Sequence, residues 1–462
     1  MRHSIPTLVT LTLASRALAI AVPSTTPSNA ANVDPELLGV SLEFFTFPAY
    51  TEIPATINCL ANIQTFRGVA PPVRIGGTTQ DRATYNPSLS SAVNYTVASS
   101  ADAPTSLTYG PSFFTLAAGM KGDVTIGLNR QLNNQANSLQ AAQQAKSVMG
   151  NLYAFELGNE PDLWGTETVA TDATSETSWF KAMSSSLGNV FQAGVYLSWK
   201  ISDLIPDLIS DGGTSFVKSF SRHSYPQSAC NGASTSLPTL MSHSGIVSYL
   251  SQFKSEATLA HTNNKKYFLG ETNSGGGISP TFGAALWIVD YVLQAAWIGV
   301  DRLYFHQGTI GNCQYCWWGR FSTGAPYYGA AFVAEFLGTD GTKISMLDDG
   351  TSAIGVYAIF NSANKPVRLL VYNSNYFDGT GTRSSTSVSL TGLTATTAKG
   401  KRFTSASAPS RVDGGVIPTI GGGSFSTTCT HNGTTTTDSL TLSGGGLSVA
   451  VQASEAYMVF LS

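Results

Sequence analysis

Eight short apolar runs recur along residues 38–337, and stretches with apolar residues at helical spacing separate them. The runs are Leu38–Phe45, Pro72–Ile75, Val124–Asn129, Leu152–Leu157, Val190–Leu197, Val217–Arg222, Tyr267–Gly270 and Leu303–His306. Several are close to continuously apolar, which is typical of strands buried on both faces of a parallel sheet. Eight such strand–helix repeats predict an α/β fold, a closed (β/α)8 TIM barrel. A doubly wound open sheet has the same local pattern, but no glycine-rich nucleotide loop follows the first run.

The composition of the sequence changes after Gly338. Gly, Ser and Thr become frequent, and short runs appear in which apolar and polar residues alternate. This pattern predicts a C-terminal antiparallel β-sandwich over residues 338–462. Residues 22–37 are expected either to add an edge strand to that sandwich or to stay outside it, since their prolines cannot donate to a ladder.

The first 21 residues have the pattern of a signal peptide. A short basic start, Arg2-His3, precedes an apolar stretch, and Ala17–Ala21 offers small-x-small cleavage signals. The apolar stretch is too short for a membrane anchor. We therefore expect a secreted, extracellular protein without a membrane-bound form.

Composition excludes several other classes of partner. Of the 462 residues, 42% are hydrophobic and 11% are charged, which indicates a core-forming chain. The formal net charge is −3, and no basic run is longer than pairs such as Lys265-Lys266, so nothing favours nucleic acid. The oligomeric state is left open.

Five cysteines fit an oxidising compartment, and their odd number leaves at least one without a partner inside the chain. Cys313 and Cys316 form a CxxC motif. A redox or zinc pair is one interpretation, but no second pair supplies zinc ligands. A structural disulfide, either local or to Cys230, is favoured in a secreted chain. Asn94 and Asn432 begin sequons for N-glycosylation.

Two glutamates stand at the ends of predicted strands. Glu160 follows the fourth run, in Gly158-Asn159-Glu160-Pro161, and Glu271 follows the seventh, in Gly270-Glu271-Thr272-Asn273. Residues at the C-terminal ends of barrel strands line the active site. Glycoside cleavage needs two carboxyl groups, one to protonate the leaving oxygen and one to attack the anomeric carbon or activate water. Asn159 is placed to donate a hydrogen bond to the sugar 2-hydroxyl.

Glu156 is a rival for Glu160, because it has the same side-chain parity along a strand. It lies inside the apolar run, whereas Glu160 lies at the end of the run, at the predicted mouth of the barrel. Taken singly, each glutamate could also be an ordinary loop or helix-cap residue. The pair at two strand ends favours Glu160 and Glu271 as the two carboxyl groups that glycoside cleavage needs.

The chain resembles glycoside hydrolase family 79, the β-glucuronidase and heparanase family of the clan A retaining glycosidases. The segments that carry the resemblance, besides the two glutamate motifs, are Val73-Arg74-Ile75-Gly76-Gly77-Thr78, Arg222-His223-Ser224-Tyr225-Pro226 and Ala325-Pro326-Tyr327-Tyr328. The resemblance implies a (β/α)8 barrel with a β-sandwich, hydrolysis of β-linked glucuronic acid with retained configuration, and no metal or organic cofactor. It also implies that Glu160 is the general acid/base and Glu271 the nucleophile. Arg74 would then support the nucleophile region, although a plain structural salt bridge is an equal alternative.

Further candidates for the site follow other runs. Glu43, near the end of the first run, would accept hydrogen bonds from sugar hydroxyls or be a surface charge. Tyr225 would hydrogen-bond the nucleophile and keep it ionised, or pack in the core. His223 is expected to support the site rather than to act as a catalyst. Trp317 and Trp318 would stack on sugar faces, although one of two neighbours usually packs inward.

A uronic acid brings a carboxylate that the site must bind. Gly275–Gly277 follows Glu271, and backbone N–H groups in such a loop bind anions, so Gly276 and Gly277 are candidate donors beside the Tyr315 hydroxyl. A tight turn without a ligand is the alternative. The balance of 25 Lys+Arg against 28 Asp+Glu favours an exo-acting enzyme on terminal glucuronic acid, or its 4-O-methyl ether, in glycans such as arabinogalactan side chains. Two alternatives stay open: a clan A retaining β-glycosidase for a neutral sugar, and an inactive secreted carbohydrate-binding protein.

Overall fold

The structure, a computed structural model, describes residues 18–165, 168–226, 235–275, 277–320 and 322–462. Eight parallel strands close into a barrel in which each strand pairs with the next and the eighth pairs with the first. In chain order these are β1 Leu38–Glu43, β2 Val73–Gly76, β3 Val124–Leu128, β4 Leu152–Leu157, β5 Phe191–Tyr196, β6 Val217–Ser224, β7 Lys266–Thr272 and β8 Arg302–Gln307. The predicted (β/α)8 barrel is confirmed, and each of the eight apolar runs overlaps one of its strands.

Helices cover the outside of the barrel. Those of eight residues or more are Pro54–Arg67, Pro111–Ala118, Gln135–Val148, Val169–Leu187, Ile201–Asp211, His243–Leu250, Lys254–Thr262, Phe282–Trp297 and Ala325–Leu337. Thr281 caps Phe282–Trp297 by accepting from the Ala284 N–H at 3.3 Å. That helix is buried on every side, between the barrel and the sandwich, which explains why most of its residues are apolar.

A small sheet that the sequence did not predict is inserted after β2. It consists of Ala83–Tyr85, Val93–Tyr95 and Leu107–Tyr109, with the last of these in the middle. Each strand has three residues, and the segment between them is polar, so no apolar run signals it. The insertion raises a wall beside the mouth of the barrel.

The predicted β-sandwich is also confirmed. Its larger sheet contains strands from the N-terminal segment and the C-terminal region: Ala31–Asn32, Lys343–Met346, Ile354–Phe360, Pro366–Asn373, Ala398–Thr404, Thr419–Ile420, Asp438–Leu440 and Glu455–Leu461. The smaller sheet contains Leu18–Ala21, Ser385–Thr391 and Leu447–Gln452. A separate apolar cluster, with Val356, Val371, Val449 and Val459 at its centre, fills the space between the two sheets.

The N-terminal segment therefore contributes a strand to each sheet. Ala31–Asn32 pairs with the Lys343–Met346 strand at the edge of the larger sheet. Leu18–Ala21, which the sequence analysis assigned to the signal peptide, runs parallel to Val388–Thr391. Ile20 in that strand is 7% exposed, so the strand buries an apolar side chain in the sandwich.

Covalent and polar contacts join the sandwich to the barrel. The Cys59–Cys429 disulfide links the Pro54–Arg67 helix to a sandwich loop, and Cys313 pairs with Cys316. Cys230 lies outside the described residues. Buried His243 contacts Asp290 on the long buried helix and Asp348 in the sandwich, at 2.8 and 2.9 Å. Among the described helices, none has the length and hydropathy needed to cross a bilayer.

Candidate active site

The C-terminal ends of the barrel strands bring two glutamates face to face. Glu160 follows β4 and Glu271 lies near the end of β7. One carboxylate oxygen of each, together with a ring nitrogen of His223, lie within 4.8 Å of one another. Carboxyl groups of retaining glycosidases are about 5–5.5 Å apart, and those of inverting enzymes about 6.5–9.5 Å apart. The observed spacing favours retention.

Glu160 stands on a tight backbone turn. Its φ is 49°, in the left-handed region, and Gly158 two residues earlier has a φ of 88°. A left-handed conformation is costly for a residue with a side chain and recurs at functional sites. The Glu160 N–H donates to Val195 O at 3.0 Å, which ties the turn to β5. The side chain is 14% exposed, so it reaches the cleft.

His223, in β6, positions the Glu160 carboxyl group. Its Nδ1 lies 2.8 Å from Glu160 Oε1. Its Nε2 is buried and has no hydrogen-bond partner among the described residues. We therefore assign the proton to Nδ1, where it is donated to Glu160. His223 thus contacts the candidate acid/base directly.

Glu271 is surrounded by donors. Tyr225 OH donates to its Oε1 at 2.6 Å, and Arg74 Nη1 donates to its Oε2 at 2.7 Å. Burial raises the pKa of Glu271, but the charges of His306 and Arg74 and the Tyr225 hydrogen bond outweigh it and hold that pKa well below its usual range. Glu271 is therefore ionised at any pH at which the protein would work.

Arg74 links Glu271 to Glu156 and to Asn159 through buried contacts. Besides Glu271, its Nε donates to Glu156 Oε2 at 2.7 Å and its Nη2 to Asn159 Oδ1 at 2.8 Å. Glu156 is fully buried and also accepts from the Gln192 amide. The Glu156 carboxylate therefore lies inside the barrel with its oxygens already hydrogen-bonded, whereas Glu160 faces the cleft.

Asn159 is held at both its side chain and its backbone. Arg74 occupies its Oδ1, so the amide NH2 end of the side chain carries the donors for a ligand. Its backbone N–H donates to Asp81 Oδ2 at 2.6 Å. Burial raises the pKa of Asp81 to about 7, against the hydrogen bonds from Asn159 and Arg130, which lower it. Asp81 lies in the turn after β2, and nothing in the sequence pattern singled it out.

Glu43 and His306 form the opposite wall of the site. Glu43 Oε1 accepts from the Thr79 N–H at 3.0 Å, and its Oε2 lies 3.3 Å from His306 Nε2. His306 Nδ1 lies 3.6 Å from Glu271 Oε2. Burial lowers the pKa of His306, but Glu271 and Glu43 raise it by more. His306 was missed in the sequence, although it ends the eighth apolar run and Glu271 directly follows the seventh.

Gly77, in the Arg74–Thr78 segment, makes room for Glu43. Its φ is 104°, and an added Cβ would lie 2.5 Å from Glu43 Oε2. Both the backbone conformation and the close carboxylate exclude a side chain at this position.

The segments predicted to bind a carboxylate lie on the β7 and β8 side of the mouth. The Gly277 N–H donates to the Gln314 side chain, so this donor is already engaged. Gly276 lies outside the described residues. The Tyr315 ring centre is 6.1 Å from that of His306, which places it beside the site.

The predicted stacking role of Trp317 and Trp318 is wrong. Both side chains are 0% exposed, and Trp318 Nε1 donates to Thr56 Oγ1 at 2.8 Å. Trp317 packs behind the β8 loop, and Trp318 borders a cavity at the barrel mouth without exposing its ring.

The oxygens of Glu160 and Glu271 and the His223 ring are close enough to ligate a metal ion. The Arg74 guanidinium, 2.7 Å from Glu271, would repel a cation there, and we assign no metal to these residues. A parallel barrel with facing carboxylates at the ends of β4 and β7, one of them held ionised, defines the class of retaining glycoside hydrolases.

Comparison with known proteins agrees with that class. Residues 356–458 match the model of the glycosyl hydrolase family 79 C-terminal beta domain. A β-glucuronidase of Neurospora crassa is 30% identical over 455 residues, covering 82% of this chain and 77% of that protein. A β-glucuronidase of Aspergillus niger is 30% identical over 416 residues, covering 79% and 76%. The chain belongs to glycoside hydrolase family 79.

A solved structure resembles the whole molecule. It is a 4-O-α-L-rhamnosyl-β-D-glucuronidase of Fusarium oxysporum in a Rha-GlcA complex, 45% identical, with a TM-score of 0.92. The match covers 96% of this chain and 100% of that chain. Barrel and sandwich are therefore arranged in the same way in both proteins.

Proposed function

We propose that this protein is a retaining exo-β-glucuronidase, with Glu271 as nucleophile and Glu160 as general acid/base. Its substrate is terminal β-linked glucuronic acid, or the 4-O-methyl ether, in glycans such as arabinogalactan side chains. The observation that carries the proposal is the facing pair of carboxylates within 4.8 Å, in a chain of a family with curated β-glucuronidases.

The first chemical step uses the ionised Glu271. Its carboxylate attacks C1 of the sugar from the face opposite the leaving oxygen, and Glu160 gives that oxygen a proton. Arg74 and Tyr225 orient the Glu271 oxygens by hydrogen bonds of 2.7 and 2.6 Å. Because both donors are fixed before substrate arrives, little reorganisation is needed in the transition state.

The second step reverses the roles at Glu160. Having lost its proton, Glu160 takes one from water, and the hydroxide oxygen attacks C1 and releases Glu271. The hydrogen bond between His223 Nδ1 and Glu160 keeps the carboxyl group aimed at the cleft in both steps. The side-chain NH2 group of Asn159 donates a hydrogen bond to the sugar 2-hydroxyl, and the Glu43 carboxylate accepts hydrogen bonds from other sugar hydroxyls.

Recognition of the substrate carboxylate is proposed for the β7 and β8 loops, through Gly276, Gly277 and the Tyr315 hydroxyl. The bond from the Gly277 N–H to Gln314 has to be exchanged for one to the substrate. An Arg or Lys is not required, because hydrogen bonds to a charged group contribute about 1.5–3 kcal/mol each.

A second candidate substrate is a glucuronide that carries α-L-rhamnose on O4. The solved structure that is 45% identical over nearly the whole chain belongs to an enzyme named for that activity, and this observation favours it.

We also propose that the protein is secreted and acts outside the cell. The predicted signal peptide supports this, and the Cys59–Cys429 and Cys313–Cys316 disulfides fit an oxidising compartment.

The test of the proposed function compares 4-nitrophenyl β-D-glucuronide with the corresponding β-D-glucoside. We expect kcat/KM to be at least about a hundredfold higher for the glucuronide, as two charge-assisted hydrogen bonds provide. Proton NMR during the reaction should show the β-anomer as first product. A preference for the glucoside would indicate a neutral-sugar glycosidase, and binding without turnover would indicate an inactive carbohydrate-binding protein.

A further inference from the structure

A buried carboxylate in the segment after β2 holds the backbone beside Glu160. Asp81 lies in the short 3-10 helix Thr78–Arg82 and is 4% exposed. Its Oδ2 accepts from the Asn159 N–H at 2.6 Å, and its Oδ1 accepts from the Arg130 N–H at 3.3 Å. Because Arg130 follows β3 and Asn159 follows β4, one carboxylate joins the ends of three neighbouring barrel strands.

The turn that carries Glu160 is held at three successive backbone N–H groups. The Gly158 N–H donates to a backbone carbonyl of β3 at 2.9 Å, and the Glu160 N–H donates to one of β5 at 3.0 Å. Between them, the Asn159 N–H donates to the Asp81 side chain. Two of these contacts therefore join backbone groups of adjacent strands, whereas the middle one depends on the identity of a side chain.

The turn needs such support because its backbone is strained. The φ angles of Gly158 and Glu160 are 88° and 49°, both in the left-handed region. For a residue with a side chain, such as Glu160, that conformation costs free energy and persists only where the surroundings hold it. Asn159 lies between these two residues, so a shift of its N–H would change the direction in which the Glu160 side chain points.

Stability of the fold does not account for a charge at Asp81. Burial raises its pKa to about 7, against the hydrogen bonds from the Asn159 and Arg130 N–H groups and the charge of Arg130, which lower it. The Arg130 guanidinium itself donates to Asp172 and to Leu157 O. Since the folded pKa lies above the ordinary value of 3.8, ionisation of Asp81 reduces the free energy of unfolding increasingly as pH rises from 3.8 to about 7.

We infer that Asp81 is a positioning residue, which keeps the Glu160 carboxyl group in line with the leaving oxygen through the backbone of Asn159. The inference rests on the proposed function and adds to it a buried residue. Its loss should matter most where proton transfer matters most. In the first step Glu160 protonates leaving oxygens of high pKa, whereas 2,4-dinitrophenol leaves without a proton.

The first experiment is Asp81→Asn, which keeps the shape of the side chain but leaves one oxygen. The amide NH2 group then faces the N–H of either Asn159 or Arg130, so one of the two contacts is lost. At pH 8, where Asp81 is mostly ionised, we expect kcat/KM for phenyl β-D-glucuronide to fall about a hundredfold, as a displacement of about 1 Å causes. For 2,4-dinitrophenyl β-D-glucuronide it should fall less than about fivefold.

The second experiment is a double-mutant cycle with Glu160→Gln. If Asp81 acts through Glu160, adding Asp81→Asn in the Glu160→Gln background should lower kcat/KM for phenyl β-D-glucuronide by less than about fivefold. A further loss of about a hundredfold in that background would show that Asp81 acts independently of Glu160, and it would refute the inference.

Asp290→Asn is the matched control. Asp290 is a fully buried acid that contacts His243 and accepts from the Tyr357 hydroxyl, on the helix between barrel and sandwich. Its replacement should lower stability and leave the ratio of kcat/KM for the two substrates unchanged. For Asp81→Asn we expect Tm to stay within about 3 °C of the wild type.

The outcomes separate the inference from the proposed function. Equal losses for both substrates in Asp81→Asn, or failure of that variant to fold, would show a structural role and overturn the inference alone. Absence of turnover of both glucuronides by the wild-type protein would overturn the proposed function.

Discussion

At the scale of single residues, the proposed division of labour follows from the surroundings of two glutamates. Glu271 is held ionised by Arg74 and Tyr225. Within the part of the chain that the structure describes, the Glu160 side chain has one hydrogen bond, to His223, and it reaches the cleft. A permanently ionised group suits the nucleophile, because the nucleophile attacks without first losing a proton. A group that exchanges a proton in each step must be accessible to the leaving oxygen and to water.

Glu271→Gln should therefore lower kcat/KM at least about a thousandfold for every aryl glucuronide, whatever its leaving group. Glu160→Gln should lower it by a similar factor for phenols of high pKa, and by less than about tenfold for 2,4-dinitrophenol, which leaves without a proton. Azide should restore turnover to Glu160→Ala and give a β-glucuronosyl azide. The exposed Glu52→Gln serves as control. Equal losses across all leaving groups in both variants would contradict the assignment.

Glu156 provides a separate test, because its burial gives it a structural role. Glu156→Gln leaves the buried Arg74 without one of its two carboxylate partners. We expect the free energy of unfolding to fall by about 3 kcal/mol. Activity should fall by one common factor for good and poor leaving groups. If activity fell only for poor leaving groups, Glu156 rather than Glu160 would be the acid.

At the scale of elements, apolar patterning decided what the sequence could predict. The barrel strands are continuous apolar runs, and each was found within a few residues of its predicted bounds. The Ala398–Thr404 strand was missed because its sequence, AKGKRFT, has three basic residues at its centre. Placing Glu160 and Glu271 needed only strand ends, whereas Asp81 and His306 depend on contacts between distant segments, which no single-sequence pattern contains.

The strand Leu18–Ala21 leads to a prediction about processing. It is fully paired with Val388–Thr391, and removing it would expose the adjacent strand. Ser15-Arg16-Ala17 is also a small-x-small signal. We therefore expect cleavage before Leu18 rather than after Ala21. Mass spectrometry of the N-terminal peptide of the secreted protein decides between the two. A start at Val22 would show that the strand is absent from the mature sandwich.

At the scale of the whole molecule, a buried ionic contact joins barrel and sandwich. His243, which is 0% exposed, lies between Asp290 of the long buried helix and Asp348 of the sandwich. Tyr357 OH, from a sandwich strand, donates to Asp290 at 2.6 Å. Burial lowers the pKa of His243, but the two aspartates raise it by more, to about 10. The histidine is therefore charged in the folded protein.

The raised pKa of His243 determines how the stability of this contact between barrel and sandwich depends on pH. The folded pKa of His243, about 10, is above the unfolded value of 6.5, so its stabilising contribution is complete below pH 6.5 and is lost as pH rises through 10. His243→Gln should lower the free energy of unfolding by about 3 kcal/mol at pH 5.5, and by much less at pH 10. Urea unfolding of both proteins at the two pH values measures the difference. His261→Gln, which removes a half-exposed pair with Asp301, should change stability by less than about 1 kcal/mol. If His243→Gln lowered the free energy of unfolding equally at both pH values, the packing of this side chain, and not its charge, would stabilise the contact between barrel and sandwich.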